Sequence, residues 1–192
     1  MRLPFPVRFV LTALFGAVLL VSGRASAFDP ENALLLELKD GPVVIEMRPD
    51  LAPRHVEQIK RLTREKFYDG VVFHRVIEGF MAQTGDPTGT GMGGSGKKIP
   101  AEFSREPHAP GVCSMARSQD PNSADSQFFI VFAPSNFLDG QYTVWGKVTA
   151  GMDAVNAIKK GDRARNGSVK DPDQIVRMRV MADVPEGERP AA

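Results

Sequence analysis

Apolar residues recur at two different periods along this chain, and the switches between them lay out its elements. Leu34, Leu36 and Leu38 alternate with Leu35, Glu37 and Lys39, Asp40-Gly41 supplies a turn, and Val43 to Met47 follows, so this stretch reads as a β-hairpin. From Pro53 the period changes. Val56, Ile59 and Leu62 recur at three-residue spacing, with His55, Arg61 and Glu65 left for solvent, which predicts a helix opening at the proline and ending near Phe67. Tyr68-Asp69-Gly70 is a turn signal, and Val71 to Ile77 then reads as a strand. Alternation along it places Arg75 on the face of Phe73 and His74 on the other, where a hydrogen-bonded structural histidine is expected.

The second half follows the same rules. Ser126 to Phe132 puts Gln127, Phe129 and Val131 on one face and Phe128, Ile130 and Phe132 on the other, the pattern of a strand covered on both sides. Tyr142 to Val148 is a strand carrying the only tryptophan, Trp145, expected in the core. Gly151 to Lys160 reads as a short helix through Met152, Val155 and Ile158, and a polar loop runs from Gly161 to Asp173. A last strand alternates Val176, Met178 and Val180 against Arg177 and Arg179, and residues 185–192 have the composition of a flexible tail. Two short helices with about eight strands in one domain predict a mainly β, closed barrel.

Composition narrows the setting. A chain of 192 residues with 42% hydrophobic and 24% charged residues can bury one sizeable core, so a single domain spanning 28–184 is expected. Ahead of it, Arg2 and Arg8 precede an apolar run from Phe9 to Val21 and a small-residue site, Ala25-Ser26-Ala27. That is the form of a cleavable signal peptide over residues 1–27, the run being shorter than the roughly 17 to 25 residues of a spanning helix. An exported, periplasmic protein is expected, with secretion or an uncleaved membrane anchor as alternatives. Without the leader's three arginines, the 24 basic residues become 21 against 23 acidic ones, and no electrostatic footprint for nucleic acid remains. Cys113 is the single cysteine, so no internal disulfide is possible, and its apolar surroundings read as a buried small hydrophobe. Three histidines without paired spacing and no C-x-x-C motif point away from a metal site.

Chemistry concentrates between Phe73 and Asp86, where Arg75 and Gln83 sit among Phe73, Val76, Ile77, Phe80 and Met81. A cation and an amide against an apolar wall can select a substrate without a nucleophile or a cofactor; the bland alternative for Arg75 is a buried ion pair with Glu78 or Asp86. Half of the residues from Gly85 to Gly96 are glycine. Gly89 to Gly94 fits G-x-G-x-x-G, and Gly91 to Lys97 begins like a phosphate loop, but Lys98 stands where serine or threonine is needed and Ile99-Pro100 follows instead of a helix. Nucleotide binding is therefore not expected, and the segment reads as a mobile surface loop.

The motifs F-H-R-V-I-x-G-F-M-x-Q-x-G-D from Phe73, S-M-A from Ser114, S-Q-F-F-I from Ser126, L-D-G from Leu138 and G-K-V from Gly146 occur in the order and close to the spacing of the cyclophilin family of peptidyl-prolyl cis-trans isomerases, which this chain resembles over nearly all of its length after the leader. The resemblance implies an eight-stranded antiparallel barrel closed by two helices, with the site on its outer surface. It also implies isomerisation of X-Pro bonds in folding proteins, with proline-containing peptides as partners and no cofactor; a non-catalytic proline-peptide-binding or chaperone module on the same fold is the alternative. By motif, Arg75 resembles the catalytic arginine and Gln83 its backbone anchor. Phe80, Met81 and Phe129 resemble the proline pocket, joined by Leu138, while Ala116 and Gln127 would line the groove before proline, with the backbone near Arg117. Three positions depart from the family pattern: Arg117 for a common asparagine, Phe137 for a common tryptophan and Tyr142 near a usual histidine. In the family that tryptophan helps to hold cyclosporin, so cyclosporin binding here is expected to be weak.

Overall fold

The computed structural model describes residues 29–190; the leader at 1–27 and the last two residues of the tail lie outside the described residues. Eight strands, β1 (Ala33–Leu38), β2 (Gly41–Met47), β3 (Arg75–Ile77), β4 (Met81–Thr84), β5 (Val112–Met115), β6 (Phe128–Val131), β7 (Val144–Ala150) and β8 (Arg177–Val180), accompany two helices, α1 (Pro53–Arg64) and α2 (Met152–Ala157). All pairings are antiparallel, in the order β3-β4-β6-β5-β7-β2-β1-β8. The sheet curls into a half-barrel whose edge strands, β3 and β8, share no ladder. Their approaches meet instead at one bridge, Val72 to Gln174, flanked by hydrogen bonds from Gly70 N to Ile175 O (2.8 Å) and Phe73 N to Asp173 O (2.9 Å). Closure expected from the pattern is thus a stitch between loops.

The periods explain the core. Leu34, Leu36 and Leu38 of β1 and Val43, Ile45 and Met47 of β2 point inward, where Val56, Ile59 and Leu62 of α1 and Val155 of α2 cover them. Phe128, Ile130 and Trp145 complete the interior, with Phe128 edge-on to Trp145 at 5.3 Å and to Tyr68 at 5.6 Å. A six-residue strand as apolar as Ala-Leu-Leu-Leu-Glu-Leu also needs cover outside. Ala33, Leu35 and Val44 pack there against Met181 and Val184. Beyond them, the segment whose composition reads as a tail is pinned through Pro190. A 3-10 turn spans Glu186–Glu188, Glu188 pairs with Arg179 at 3.3 Å, and Arg189 Nε donates to Val184 O at 2.9 Å.

Four local expectations fail for identifiable reasons. His55 is fully buried instead of solvent-facing: its Nδ1 lies 2.7 Å from a Glu102 carboxylate that also accepts the His55 N–H (3.1 Å), capping a helix whose Ala52 offers no side chain for the purpose. Phe73 and Arg75 do not share a face, because the strand pattern begins only at Arg75 and both Phe73 and Val76 enter the core. The two ring nitrogens of His74 are buried without a hydrogen-bond partner among the described residues, so it is not the hydrogen-bonded histidine expected. Val176 precedes β8 and is 53% exposed, out of line with buried Met178 and Val180.

Candidate active site

Strand register assembles the site. Arg75 pairs with Gln83, and Gln83 with Phe129, while Ile77, Met81 and Val131 form the next outward row. The residues between them, Val76, Ala82 and Ile130, point into the core. A two-residue period therefore gives this patch of sheet an inner face for stability and an outer face for chemistry.

On that outer face a second apolar cluster forms, separate from the barrel interior. Met81, Val112, Phe129, Val131, Leu138 and Val144 are buried in it, and Phe80, Ala116 and Tyr142 pack on its margin. Phe137, also placed in the site by motif, is 66% exposed and touches the rim through Phe80, with ring centroids 5.3 Å apart. The cluster is apolar at its base and edged by the aromatic rings of Phe80 and Tyr142, a chemistry suited to a small saturated ring.

Arg75 borders it. Its Nη1 donates to Gln83 Oε1 at 3.1 Å and lies 4.0 Å from Met81 Sδ, its Nε donates to Asn166 O at 3.1 Å, and its Nη2 donates to Asn166 Oδ1 at 3.0 Å. Neither Glu78 nor Asp86 pairs with it: Glu78 faces Arg163 at 3.9 Å, and Asp86 is engaged elsewhere. Desolvation lowers the Arg75 pKa from its ordinary value, yet a guanidinium so far above neutrality keeps its proton. The cation is half-buried beside Met81 of the apolar cluster and surrounded by neutral oxygens.

The polar chain continues through Gln83 Nε2 to Gln127 Oε1 (2.9 Å), and Gln127 Nε2 donates to Gly91 O (3.0 Å) and Gly93 O (2.8 Å). The glycine-rich segment is therefore tied to the site, and it is not the loose loop its composition suggests. Two carboxylates organise it. Asp86 accepts the N–H groups of Thr88 (2.8 Å), Gly91 (2.6 Å) and Gly93 (3.1 Å), while Asp125 accepts those of Ser95 (2.8 Å) and Gly96 (2.9 Å). Backbone donors of the kind that would cradle a phosphate are taken up by the protein's own acids. Burial would raise the Asp86 carboxyl, but the Thr88 hydroxyl and the Gly93, Thr88 and Gly91 amides hold it well below the usual carboxylate range.

Between this loop and Arg117 lies a groove of about 530 Å³, lined by Gln83, Met92, Ala116, Arg117, Asp125 and Gln127 among others, which meets the apolar cluster at Ala116. Arg117 spends its guanidinium on the protein itself: Nε and Nη2 donate to Gln141 O at 3.1 and 2.9 Å, and Nη1 donates to Ser118 O at 2.8 Å. All eleven residues singled out by motif thus lie on this one face, although Arg117 and Gln127 are engaged mainly in holding its walls.

Sequence reasoning passed over His108. Its ring is fully buried, stacked behind Phe129 at 6.3 Å and 20°, with Nδ1 donating to Asp139 Oδ1 at 2.8 Å and Nε2 3.1 Å from Ser114 Oγ. Asp139 also accepts the His108 N–H at 2.8 Å, so the pair fixes the turn that presents Leu138. Asn166 was passed over as well. Both partners are distant in sequence, and no local pattern announces them. Cys113 lies on the inner face, buried, its thiol pushed far up by desolvation, so it supplies no nucleophile.

A family model described as cyclophilin type peptidyl-prolyl cis-trans isomerase/CLD matches residues 33–180. A probable peptidyl-prolyl cis-trans isomerase of Brucella suis is 58% identical over 171 residues, 83% of this chain and 87% of that protein. Peptidyl-prolyl cis-trans isomerase B of Bacillus subtilis is 44% identical over 65% of this chain and 89% of its own length. Among solved structures, the cyclophilin AquaCyp293 from Hirschia baltica superposes with a TM-score of 0.75 at 30% identity, covering 84% of this chain and 78% of that one. A cyclophilin type isomerase from Cryptosporidium parvum, determined in the presence of the dipeptide Ala-Pro, gives 0.70 at 27% identity, with 77% of this chain and 98% of that one covered.

Proposed function

The chain belongs to the cyclophilin-type peptidyl-prolyl cis-trans isomerase family and is an isomerase of that kind, and we propose that Arg75 is its catalytic group, acting on X-Pro bonds of exported proteins. The X-Pro bond resists rotation with a barrier of roughly 18 to 20 kcal/mol because its nitrogen lone pair is delocalised into the carbonyl. Twisting the bond returns that lone pair to nitrogen. A guanidinium N–H aimed at the proline nitrogen is therefore satisfied only in the twisted state, and stabilises it selectively. No proton has to move. One donor of this kind contributes roughly 3 to 4 kcal/mol, whereas a 10⁵-fold acceleration needs about 7.

The remainder comes from gripping the two sides of the bond differently. Met81, Phe129 and Leu138 hold the ring by apolar contact, with Phe80 at the rim, while the acyl side of the bond is held by hydrogen bonds. Gln83 commits one amide N–H to Gln127, so its second N–H is left to hold the preceding carbonyl, and the groove lined by Ala116, Gln127 and Arg117 takes the residues before proline. The observation that carries the reading is the placement of Arg75: a cation without a carboxylate partner among the described residues, one strand row from the apolar cluster of Met81 and Phe129. The partners are proline-containing peptides and folding chains. Phe137 offers no hydrogen bond to cyclosporin, so that ligand binds weakly. The leader-like composition of residues 1–27 supports export to a periplasm.

The test is an isomerisation assay on a short proline peptide with wild type and Arg75→Lys. Lysine keeps the charge and loses the planar fork, so a loss of tenfold or more in kcat/KM, at roughly unchanged fold, is expected. Equal activity would make Arg75 a structural cation. Peptide binding without turnover by the wild type would point instead to a non-catalytic binding module.

A further inference from the structure

Arg75 has five N–H donors, and two of the three committed to oxygen go to a single residue that motif reasoning does not assign, Asn166. We propose that Asn166 is a positioning residue for catalysis, one that aims the Arg75 guanidinium while leaving its charge unneutralised. The inference rests on Arg75 being the catalytic group. Three observations support it.

The first is geometric. Asn166 O receives Nε at 3.1 Å and Asn166 Oδ1 receives Nη2 at 3.0 Å, so the guanidinium is held along one edge by two acceptors of one residue. Gln83 Oε1 takes one Nη1 hydrogen at 3.1 Å, leaving an N–H on Nη2 without a partner and one on Nη1 directed only at Met81 Sδ, 4.0 Å away. The weakly engaged donors are on the Nη1 and Nη2 end of the guanidinium, where Nη1 lies beside Met81 of the apolar cluster.

The second is the anchoring of Asn166 itself. The turn from Gly161 to Ser168 lies along the free edge of β3, through Val76 N to Gly167 O at 2.8 Å and Gly161 N to Val76 O at 2.9 Å. Asn166 adopts φ 54° and ψ 35°, the left-handed region that asparagine tolerates better than most residues, and this conformation carries its carbonyl and its amide toward the same guanidinium. An edge strand otherwise left open thus becomes the mount for the catalytic cation.

The third is electrostatic. A cavity of about 230 Å³ beside Arg75 is lined by His74, Arg165, Asn166 and Ser168, with Gln83 and Thr90, and no carboxylate lines it. An aspartate would satisfy the same N–H groups more strongly, but it would cancel the charge that the twisted X-Pro nitrogen is meant to meet. Asparagine gives direction without neutralisation.

The experiment compares wild type, Asn166→Gly, Asn166→Asp and Arg75→Lys on one proline tetrapeptide, measuring kcat and KM by exchange NMR and melting temperature in parallel. Glycine retains the left-handed turn and the backbone acceptor and removes only the side chain, so kcat should fall about tenfold with KM and melting temperature nearly unchanged. Aspartate retains shape and acceptor and adds charge, so its kcat should fall at least as far. Wild-type kcat in Asn166→Gly, or a loss carried by KM or by melting temperature, would overturn the positioning role. Wild-type kcat in Asn166→Asp would overturn the requirement for a neutral partner. The reading beneath is tested separately: an unimpaired Arg75→Lys would remove Arg75 from the mechanism whatever the Asn166 variants do.

Discussion

The guanidinium carbon of Arg117 lies 4.5 Å from the centroid of the Tyr142 ring, and that ring meets Phe129 edge-on at 5.9 Å. These two residues are separate departures from the family pattern in sequence, but in the fold they form one unit: a cation laid on an aromatic ring that walls the apolar cluster around Phe129. Arg117 also ties the 118–119 backbone to Gln141 O, so the ring is held from above. Arg117→Asn and Tyr142→His should therefore be non-additive. A double-mutant cycle on kcat/KM should return a coupling of about 0.5 to 1 kcal/mol. A coupling indistinguishable from zero would mean the contact is incidental.

Asp86 should set part of the acid sensitivity of the fold. Its carboxyl is held below the usual range by hydroxyl and amide donors that outweigh the opposing effect of burial. Its contribution is complete above the unfolded value of about 3.9 and is lost as pH falls through the lower folded value. Asp86→Asn should cost about 2 to 4 kcal/mol at neutral pH and flatten the decline in melting temperature below about pH 4. Melting curves between pH 7 and pH 3 check it; an asparagine variant that falls in parallel with wild type would place the acid sensitivity in other carboxylates.

Phe137 should limit cyclosporin affinity without limiting turnover. It stands 66% exposed at the rim, packed on Phe80, and contributes no donor. Restoring an indole by Phe137→Trp adds area and an N–H, the latter typically worth about 0.5 to 1.5 kcal/mol. Inhibition of the variant should be several-fold tighter in the same peptide assay, with little change in the uninhibited rate. Equal inhibition of both proteins would clear Phe137 of that role.

The leader gives the fourth prediction. Ala25 and Ala27 are the small residues a signal peptidase accepts, so the exported protein should begin at Phe28. Intact mass and N-terminal sequencing of the exported fraction decide the point, and an intact N-terminus recovered with membranes would favour an anchor.

Local order in the chain determined more of the outward face than of its supports. The alternation Gln127-Phe128-Phe129-Ile130-Val131 divides site from core without any neighbour, because successive side chains in a strand must point to opposite sides. Arg75, Gln83, Phe80 and Met81 lie within nine residues, and a hairpin of that length brings them together by register alone. Periodicity reports which way a side chain points, however, not what covers it. His55 falls on the solvent side of the helical pattern and is buried because Glu102, 47 residues away, folds over the start of α1. The glycine-rich segment looks loose until Asp125, thirty residues from Ser95, takes up its amides. Leu35 seems surplus until Met181 and Val184 cover the outside of β1. Asn166, 91 residues from Arg75, shows the limit most clearly: two hydrogen bonds that orient the cation are made by a turn whose own sequence reads only as polar loop. Contacts between segments so far apart depend on how the sheet curls and where its edges end, and that was decided by packing the whole core.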